Sequence, residues 1–243
     1  MYVCVCVCVC VCVCVCVCVC VHACVCACVC LCVFDDAYLT LFFLISLLSL
    51  LDLSAASDTI DHSILLSRLH HTFGISGTAL SWFQSYLSDR TQVVSVNGAS
   101  SATAALNFGV SQGSLLGPIL FVLYTHPISE IVSYHYLSHH SFSDDNQLYK
   151  SGNITQLPEI IHSTQSCISD VKAWMKNNQL QVNNDKTEMI LTATKTVLKS
   201  DSVPQSINLE GSDIKFANTI RNLGVCLDPT LSFQQQISSI CCI

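Results

Sequence analysis

Charged side chains are scarce in this chain, and basic ones are absent from its first 67 residues. The 243 residues are 11% charged and carry a formal net charge of −7. All ten lysines and arginines lie from Arg68 onward. From Asp52 to the end of the chain they face 15 acidic residues, which gives a net charge of −5. Nucleic-acid-binding proteins are usually basic on one face. The charge balance therefore counts against a complete, autonomous nucleic-acid-binding protein.

Cysteine is scarce outside a single segment. Residues 1–33, in which Val and Cys alternate, hold 14 of the 18 cysteines. The alternation has the period of a β-strand, and a thiolate metal site, a disulfide framework and a membrane segment are all compatible with it. Evenly spaced cysteines specify no single pairing, however, and a repeated GT dinucleotide encodes Val-Cys in alternation. We interpret residues 1–33 as a translated low-complexity repeat, disordered or irregular, and exclude it from fold prediction.

The chain also lacks a hydrophobic run of full membrane-spanning length. Residues 37–51 are 15 uncharged residues, whereas a spanning helix needs about 20. Asp35 and Asp36 precede the run, where a signal peptide would carry positive charge. The run therefore predicts a buried helix followed by a buried strand, and we expect no membrane partner. An anchor formed by residues 1–51 remains the weaker alternative.

Helical and strand periodicities are mixed in the rest of the chain. In one predicted helix, Leu65, Leu69 and Phe73 recur at helical spacing before Gly74. The predicted elements are a strand over 46–52, a helix over 63–73, a helix capped by Ser76, a strand over 91–98, a Gly-rich loop and apolar helix over 109–132, a hairpin around 144–145, a helix over 157–176 and short strands beyond. This order predicts an α+β fold, an antiparallel sheet with helices packed on one face.

Three aspartates are candidates for a metal site. Asp52 follows the predicted buried strand, and Asp144 and Asp145 lie at the tip of the predicted hairpin. Carboxylates at strand ends that meet at one sheet edge suit hard cations such as Mg²⁺, and two such ions can assist phosphoryl transfer. A solvated turn and a helix cap are the alternatives for these residues.

Four histidines precede the hairpin: His126, His135, His139 and His140. No pair of them is spaced as metal ligands on a clear helix. They are interpreted as loop histidines.

Five segments resemble motifs of one known family. "LLDLSAASDTIDH" (50–62), "GVSQGSLLGPILFVLY" (109–124), "FSDDNQLY" (142–149), "NNQLQVNNDKTEMIL" (177–191) and "NLGVCLDPTLSF" (222–233) stand in the chain in this order. In order and spacing they resemble the reverse transcriptase palm of LINE-type (non-LTR) retrotransposons. The resemblance covers roughly residues 45–240. It divides the chain into a Val-Cys tract at 1–33 and a palm domain at 34–243.

The resemblance implies a role for each matching position. Asp52, Asp144 and Asp145 would hold two Mg²⁺, or Mn²⁺, and Lys186 would lie near the triphosphate and could protonate the leaving pyrophosphate. Gln112 and Gly113 would line the nucleotide and template pocket, and Leu223, Gly224 and Val225 would support the primer end. The expected partners are an RNA template, a DNA primer and dNTPs, with no organic cofactor. The expected location, if the protein is expressed, is the nucleus or the cytoplasm.

Several features depart from the family pattern. Ser57 stands where the family has an aromatic residue that excludes ribonucleotides, and Ser111 stands where it has proline. The Val-Cys tract occupies the place of the fingers, and the thumb would begin where the chain stops. We therefore expect a truncated RNA-directed DNA polymerase with weak or no activity. The alternatives are a catalytically dead palm remnant that acts at most as a binding surface and the membrane-anchored protein described above.

Overall fold

The computed structural model describes residues 44–54, 58–111, 113–142, 145–183 and 186–241. The predictions made for the Val-Cys tract, for the helix before the first strand and for Ser57, Gln112 and Asp144 lie outside these residues. Within the described ranges, no helix is long and apolar enough to cross a membrane.

Fourteen strands lie in the described part of the chain. Strand β1 is apolar, and its leucines and isoleucine are buried along nearly its whole length. The strands are β1 Leu44–Leu51, β2 Leu53–Ser54, β3 Thr91–Gln92, β4 Ser95–Val96, β5 Ala99–Ser100, β6 Ala104–Ala105, β7 Ser138–Phe142, β8 Asp145–Asn153, β9 Gln181–Val182, β10 Glu188–Thr192, β11 Ser206–Leu209, β12 Ser212–Lys215, β13 Ile220–Asn222 and β14 Val225–Leu227.

Seven α-helices accompany these strands in the same described ranges. They are α1 His62–His71, α2 Gly77–Leu87, α3 Gly117–Thr125, α4 Ile128–Tyr134, α5 Leu157–Asn177, α6 Lys195–Leu198 and α7 Gln234–Cys241. Asp61 caps α1 by accepting hydrogen bonds from the amides of Ser63 and Ile64. The apolar segment predicted as one helix over 109–132 is in fact two, α3 and α4, which are separated at His126 and Pro127 because proline cannot continue a helical hydrogen-bond ladder.

The main sheet has four strands in the order β10-β1-β8-β7, and the other strands form two-stranded pairs. Every pair with a described register is antiparallel. The predicted α+β class, with an antiparallel sheet and helices, is confirmed. The chain divides into two compact units; the first contains described residues 44–48, 149–161 and 188–241, and the second contains 49–148 and 162–187.

The second unit has a core of helices in which α1 packs against α2 and α3. At its centre, the Arg68 guanidinium donates to the Tyr124 carbonyl and to Oδ1 of Asn178. The guanidinium also lies over the rings of Tyr124 and Trp174, 4.5 and 5.0 Å from their centroids. We call these four residues, Arg68, Tyr124, Trp174 and Asn178, the Arg68 cluster. Its polar groups bond to one another, since the Tyr124 hydroxyl donates to the Asn178 carbonyl at 2.8 Å.

The two predicted helices at 63–73 and after Ser76 are present, with one correction. Ser76 holds the N-cap position of α2, but its side chain makes no cap hydrogen bond. Leu87 is the one fully buried residue of α2, and Leu80 and Phe83 on the same face are half-buried.

The first unit is built mainly from hairpins. Strand β10 contacts β12 and β13, and α7 contacts β14. The buried residues of β10, β11 and β14 form much of its core: Met189, Ile190, Leu191, Ile207, Leu209, Val225 and Leu227. Helices α6 and α7 lie where only short strands were predicted.

Candidate functional site

Asp52 lies at the point where buried strand β1 ends. Its carbonyl accepts a hydrogen bond from the Asn183 amide at 2.9 Å, and the adjoining β2 pairs with β9 through Leu53 and Val182. These backbone contacts hold the segment after β9 beside Asp52. They bring in the Lys186 side chain, whose Nζ lies 3.3 Å from Oδ2 of Asp52. The first and fourth of the resembling motifs therefore meet in the structure.

The Asp52 carboxylate is only partly satisfied by protein groups. Its side chain is 26% exposed, and its Oδ2 atom is buried without a hydrogen-bond partner among the described residues. The neighbouring charge is the Lys186 ammonium, on a side chain that is 67% exposed. A buried carboxylate oxygen without a hydrogen bond is costly unless a cation compensates it, and here the Lys186 ammonium, 3.3 Å from Oδ2, does so. Carboxylate oxygens are also the ligands that hard cations prefer, so the donor type of Asp52 fits such a cation.

Asp145 opens the strand that neighbours β1. It is exposed and is the first residue of β8, which lies beside β1 in the sheet. The Ser46 and Ser151 hydroxyls contact each other, near the start of β1 and near the end of β8. Asp52 directly follows β1, and Asp145 is the first residue of the neighbouring β8. That their carboxylates meet at one sheet edge stays a prediction, and Asp144 lies outside the described residues.

No group of three His, Cys, Asp or Glu side chains that could hold a metal occurs among the described residues. Because Asp144 is not among them, the three-aspartate site stays a prediction.

The hairpin of β7 and β8 is supported by buried polar side chains. His139 contacts Oδ1 of Asn146 through Nε2 at 3.2 Å, and Asn146 is 1% exposed. Burial lowers the pKa of His139, against the opposite effect of the Asn146 hydrogen bond. Because Oδ1 of Asn146 accepts this hydrogen bond, Nε2 of His139 carries the proton. His139 and His140 lie in strand β7 and not in the predicted loop.

The loop predicted to line the nucleotide pocket is anchored at Ser111 by a hydrogen bond. The Arg90 guanidinium donates to the Ser111 hydroxyl and lies over the Tyr86 ring, 5.7 Å from its centroid. Gly113 has φ +76, a left-handed conformation that favours glycine, and the space around it is open. Gln112 is outside the described residues, so only its neighbours are placed.

Leu223 and Gly224 form a two-residue turn between β13 and β14. Their φ angles are +46 and +86, as a type I′ hairpin turn requires. Glycine suits this conformation, whereas leucine at positive φ is strained. Val225 follows as a buried residue of β14. These three residues, predicted to support the primer, lie in the first unit and Asp52, Asp145 and Lys186 in the second.

One functional candidate was not singled out from the sequence. His62 donates through Nε2 to the Gly109 carbonyl at 2.8 Å, between the first and second motifs. His62 was quoted within the first motif, but a single histidine carries no signal that reveals its partner 47 residues further along the chain.

The family model of reverse transcriptase (RNA-dependent DNA polymerase) matches residues 45–227 of this chain, well over half of its length. Two similar proteins come from Drosophila melanogaster. The probable RNA-directed DNA polymerase from transposon BS is 29% identical over 188 residues, and the RNA-directed DNA polymerase from mobile element jockey is 28% identical over 199 residues. The matches cover 75% and 78% of this chain but 20% of each of those proteins, so the chain spans about a fifth of their length.

Among solved structures, apo telomerase from Candida tropicalis truncated from its C-terminal domain is similar, with a TM-score of 0.57 and 16% identity. The match covers 82% of this chain and 37% of that one. A second apo telomerase structure from Candida tropicalis has a TM-score of 0.52 at 15% identity, with 82% and 33% covered. At this sequence identity the similarity to telomerase shows the fold alone. The family assignment rests on the family model and on the transposon polymerases. The chain therefore belongs to the reverse transcriptase family, as a reverse transcriptase domain of a LINE-type retrotransposon.

Proposed function

We propose that this chain provides the polymerase site for RNA-directed DNA synthesis, with its metal ions held at the edge formed by the end of β1 and the start of β8. The observation that carries the proposal is the Asp52 carboxylate. Its buried Oδ2 has no hydrogen bond among the described residues and forms an ion pair with the exposed Lys186 at 3.3 Å. Asp52 directly follows β1, the strand next to the one that Asp145 opens. A carboxylate that serves only structure is normally satisfied by hydrogen bonds.

Divalent cations are the general cofactors of this family, and Asp52, Asp144 and Asp145 would hold two Mg²⁺ or Mn²⁺ here. When bound, such ions stabilise the charge on the attacking and leaving oxygens of phosphoryl transfer. The protein's own contribution would be to hold these carboxylates together, and for Asp52 the hydrogen bond from the Asn183 amide to the Asp52 carbonyl fixes the backbone.

In the proposed reaction, the primer 3′-hydroxyl loses its proton to water and forms a bond to the α-phosphorus of a dNTP, and the bond from that phosphorus to the pyrophosphate oxygen breaks. Lys186 would take part, because its side chain is 67% exposed and its Nζ is ion-paired with Asp52 at the proposed site. Its ammonium would bind the triphosphate oxygens and hold a proton for the leaving pyrophosphate.

The remaining residues of the site have roles by their place in the family motifs. Gln112 and Gly113 would line the nucleotide and template pocket, and the turn at Leu223 and Gly224 with Val225 would support the primer end. An RNA template follows from the names of the transposon polymerases, which are RNA-directed. Each of these roles is a proposal for this chain.

Ser57 is proposed to occupy the position that excludes ribonucleotides. A serine there removes the ring that would block a 2′-hydroxyl, so we expect poor discrimination against rNTPs and recovery of selectivity in Ser57→Phe. Primer extension with matched dNTP and rNTP pools tests this. An equal and strong dNTP preference in both proteins would show that Ser57 is not the gate.

We also propose that residues 1–33 are a separate low-complexity tract and residues 34–243 the palm domain. Deleting residues 1–33 should leave the thermal transition of the rest unchanged. A clear loss of stability would show that the tract packs on the domain.

Primer extension on an RNA template with a DNA primer, in Mg²⁺ and in Mn²⁺, tests the polymerase function. The full chain and Asp201→Asn, which changes an exposed aspartate outside the site, should both extend the primer, at the weak rate expected of a truncated polymerase. Asp52→Asn should lower the rate at least about a hundredfold, or about 2.7 kcal/mol of transition-state stabilisation. If none of the three proteins extends the primer, the polymerase proposal fails and the alternative of a palm remnant that only binds nucleic acid takes its place.

A further inference from the structure

Gly109, at the start of the nucleotide-pocket loop, is held through both of its backbone polar groups. Its amide donates to the Ile60 carbonyl at 2.8 Å, and its carbonyl accepts from Nε2 of His62 at 2.8 Å. Beside it, Phe108 forms an antiparallel bridge with Asp61. Residues 60–62 therefore hold residues 108–109 through two hydrogen bonds and one β-bridge.

Residues 60–62 are themselves fixed by burial and by a helix cap. Ile60 is fully buried, and Asp61 caps α1 by accepting from the Ser63 and Ile64 amides at 2.8 and 3.1 Å. The hydrogen bond from the Ser63 hydroxyl is the largest effect that lowers the pKa of Asp61, so this carboxylate stays ionised and the cap stays formed. His62, the first residue of α1, therefore has a fixed backbone from which its ring reaches Gly109.

Gly109 controls the direction of the loop. It has φ +84, a conformation that glycine adopts without strain. Beyond it, Val110 is buried and Ser111 accepts from Arg90, so the chain is anchored up to the residue before Gln112. The contact from His62 is the first anchor of the loop, and the contact from Arg90 is the second.

We propose that His62 is a positioning residue for loop 109–113: the hydrogen bond from its Nε2–H to the Gly109 carbonyl fixes the start of the loop that presents Gln112 and Gly113. The proposal rests on the proposed function, in which that loop lines the nucleotide and template pocket. Because the acceptor is a carbonyl, Nε2 of His62 carries hydrogen. A residue that fixes this loop should affect nucleotide binding without touching the nucleotide.

The test compares His62 variants whose side chains differ in length and in whether they carry a hydrogen-bond donor, all made in the full chain. His62→Gln keeps an amide donor on a side chain long enough to reach Gly109. His62→Leu has no donor, and His62→Asn has a donor on a shorter side chain. His71→Leu, at the exposed end of the same helix, controls for the loss of a histidine from α1.

Two readouts separate positioning from folding and from the proposed function. The first is hydrogen exchange of the amides at 108–113, compared with those of the β11–β12 hairpin, which report general loosening. Loss of one hydrogen bond should speed exchange at Gly109 by about threefold to tenfold in His62→Leu and His62→Asn, and not in His62→Gln or His71→Leu. The second is the affinity for a dNTP with primer, template and Mn²⁺, which should fall by about the same factor in the same two variants.

The outcomes are distinguishable. If exchange at 108–113 in His62→Leu and His62→Asn matches that of His71→Leu, the positioning role is refuted. The same holds if exchange rises equally in the β11–β12 hairpin, because His62 would then serve overall stability. If the exchange pattern appears but the unmodified chain does not bind a dNTP, His62 positions the loop and the proposed function fails.

Discussion

The Arg68 cluster and the Asp52–Lys186 pair are two charged sites in the same compact unit, and they are built in opposite ways. The Arg68 guanidinium is enclosed by two aromatic rings and donates to a carbonyl and a side-chain amide. Asp52 has a buried oxygen with no hydrogen bond among the described residues and an exposed lysine as its neighbour. Closed polar networks of the first kind stabilise a fold. We propose that the second kind, an ion pair with an exposed partner, belongs to a ligand site.

The largest effect is expected at the closed site. Arg68→Met should lower the free energy of unfolding by about 3 kcal/mol, because the Tyr124 carbonyl and the half-buried Asn178 side chain lose a charged donor and two rings lose a cation. Urea denaturation measures this. Arg221→Met, which removes an exposed arginine from β13, is the matched control and should change stability by less than about 0.5 kcal/mol. Equal effects of the two substitutions would mean that the Arg68 cluster adds no stability.

Asp61 is a second carboxylate to compare with Asp52, because its Oδ1 accepts three hydrogen bonds, from the Ser63 amide and hydroxyl and from the Ile64 amide. Asp61→Ala removes the cap of α1 and should cost about 1 kcal/mol. The pKa of Asp61 is lowered in the folded protein, so its contribution is present above the unfolded pKa of about 3.9 and is lost as the pH falls through the folded pKa. Unfolding curves at pH 7 and pH 3 should differ more for the unmodified chain than for Asp61→Ala. The same pH dependence in both would contradict the assignment.

The smallest stability effect is expected at the Asp52–Lys186 pair. Asp52→Asn should change the free energy of unfolding by less than about 0.5 kcal/mol, because a partly exposed ion pair contributes little and the buried oxygen has no hydrogen bond to lose. Denaturation in the absence of divalent cations measures this. A loss comparable to that of Arg68→Met would show that Asp52 is a structural residue.

The sequence predicts well those features that depend on local pattern or on the family motifs. Leucine spacing predicted α1, and the carboxylate pair predicted the β7–β8 hairpin. The apolar pattern continues across His126 and Pro127, so one helix was predicted where the structure has α3 and α4. Leu80, Phe83 and Leu87 of α2 share one apolar face, but only Leu87 is fully buried. Periodicity shows which face is apolar and not how completely a partner covers it.

Contacts between distant segments could not be predicted from the sequence. The Lys186 ammonium reaches Asp52 because β2 pairs with β9, and His62 reaches Gly109 because Ile60 pairs with it; both depend on tertiary register. The replacement of proline by Ser111 appeared as a departure from the family pattern. In the structure, the serine hydroxyl accepts a hydrogen bond from Arg90, which a proline could not do.

The most direct test of the central claim, that the Asp52 carboxylate belongs to a divalent-cation site, is a Mn²⁺ titration of the full chain followed by electron paramagnetic resonance. The hard Mn²⁺ ion favours carboxylates over the thiols of the Val-Cys tract. We predict that the unmodified chain and Asp201→Asn bind Mn²⁺ with the same affinity and that Asp52→Asn binds it at least about tenfold more weakly, a change of about 1.4 kcal/mol. Equal Mn²⁺ affinity in Asp52→Asn and the unmodified chain would contradict the account.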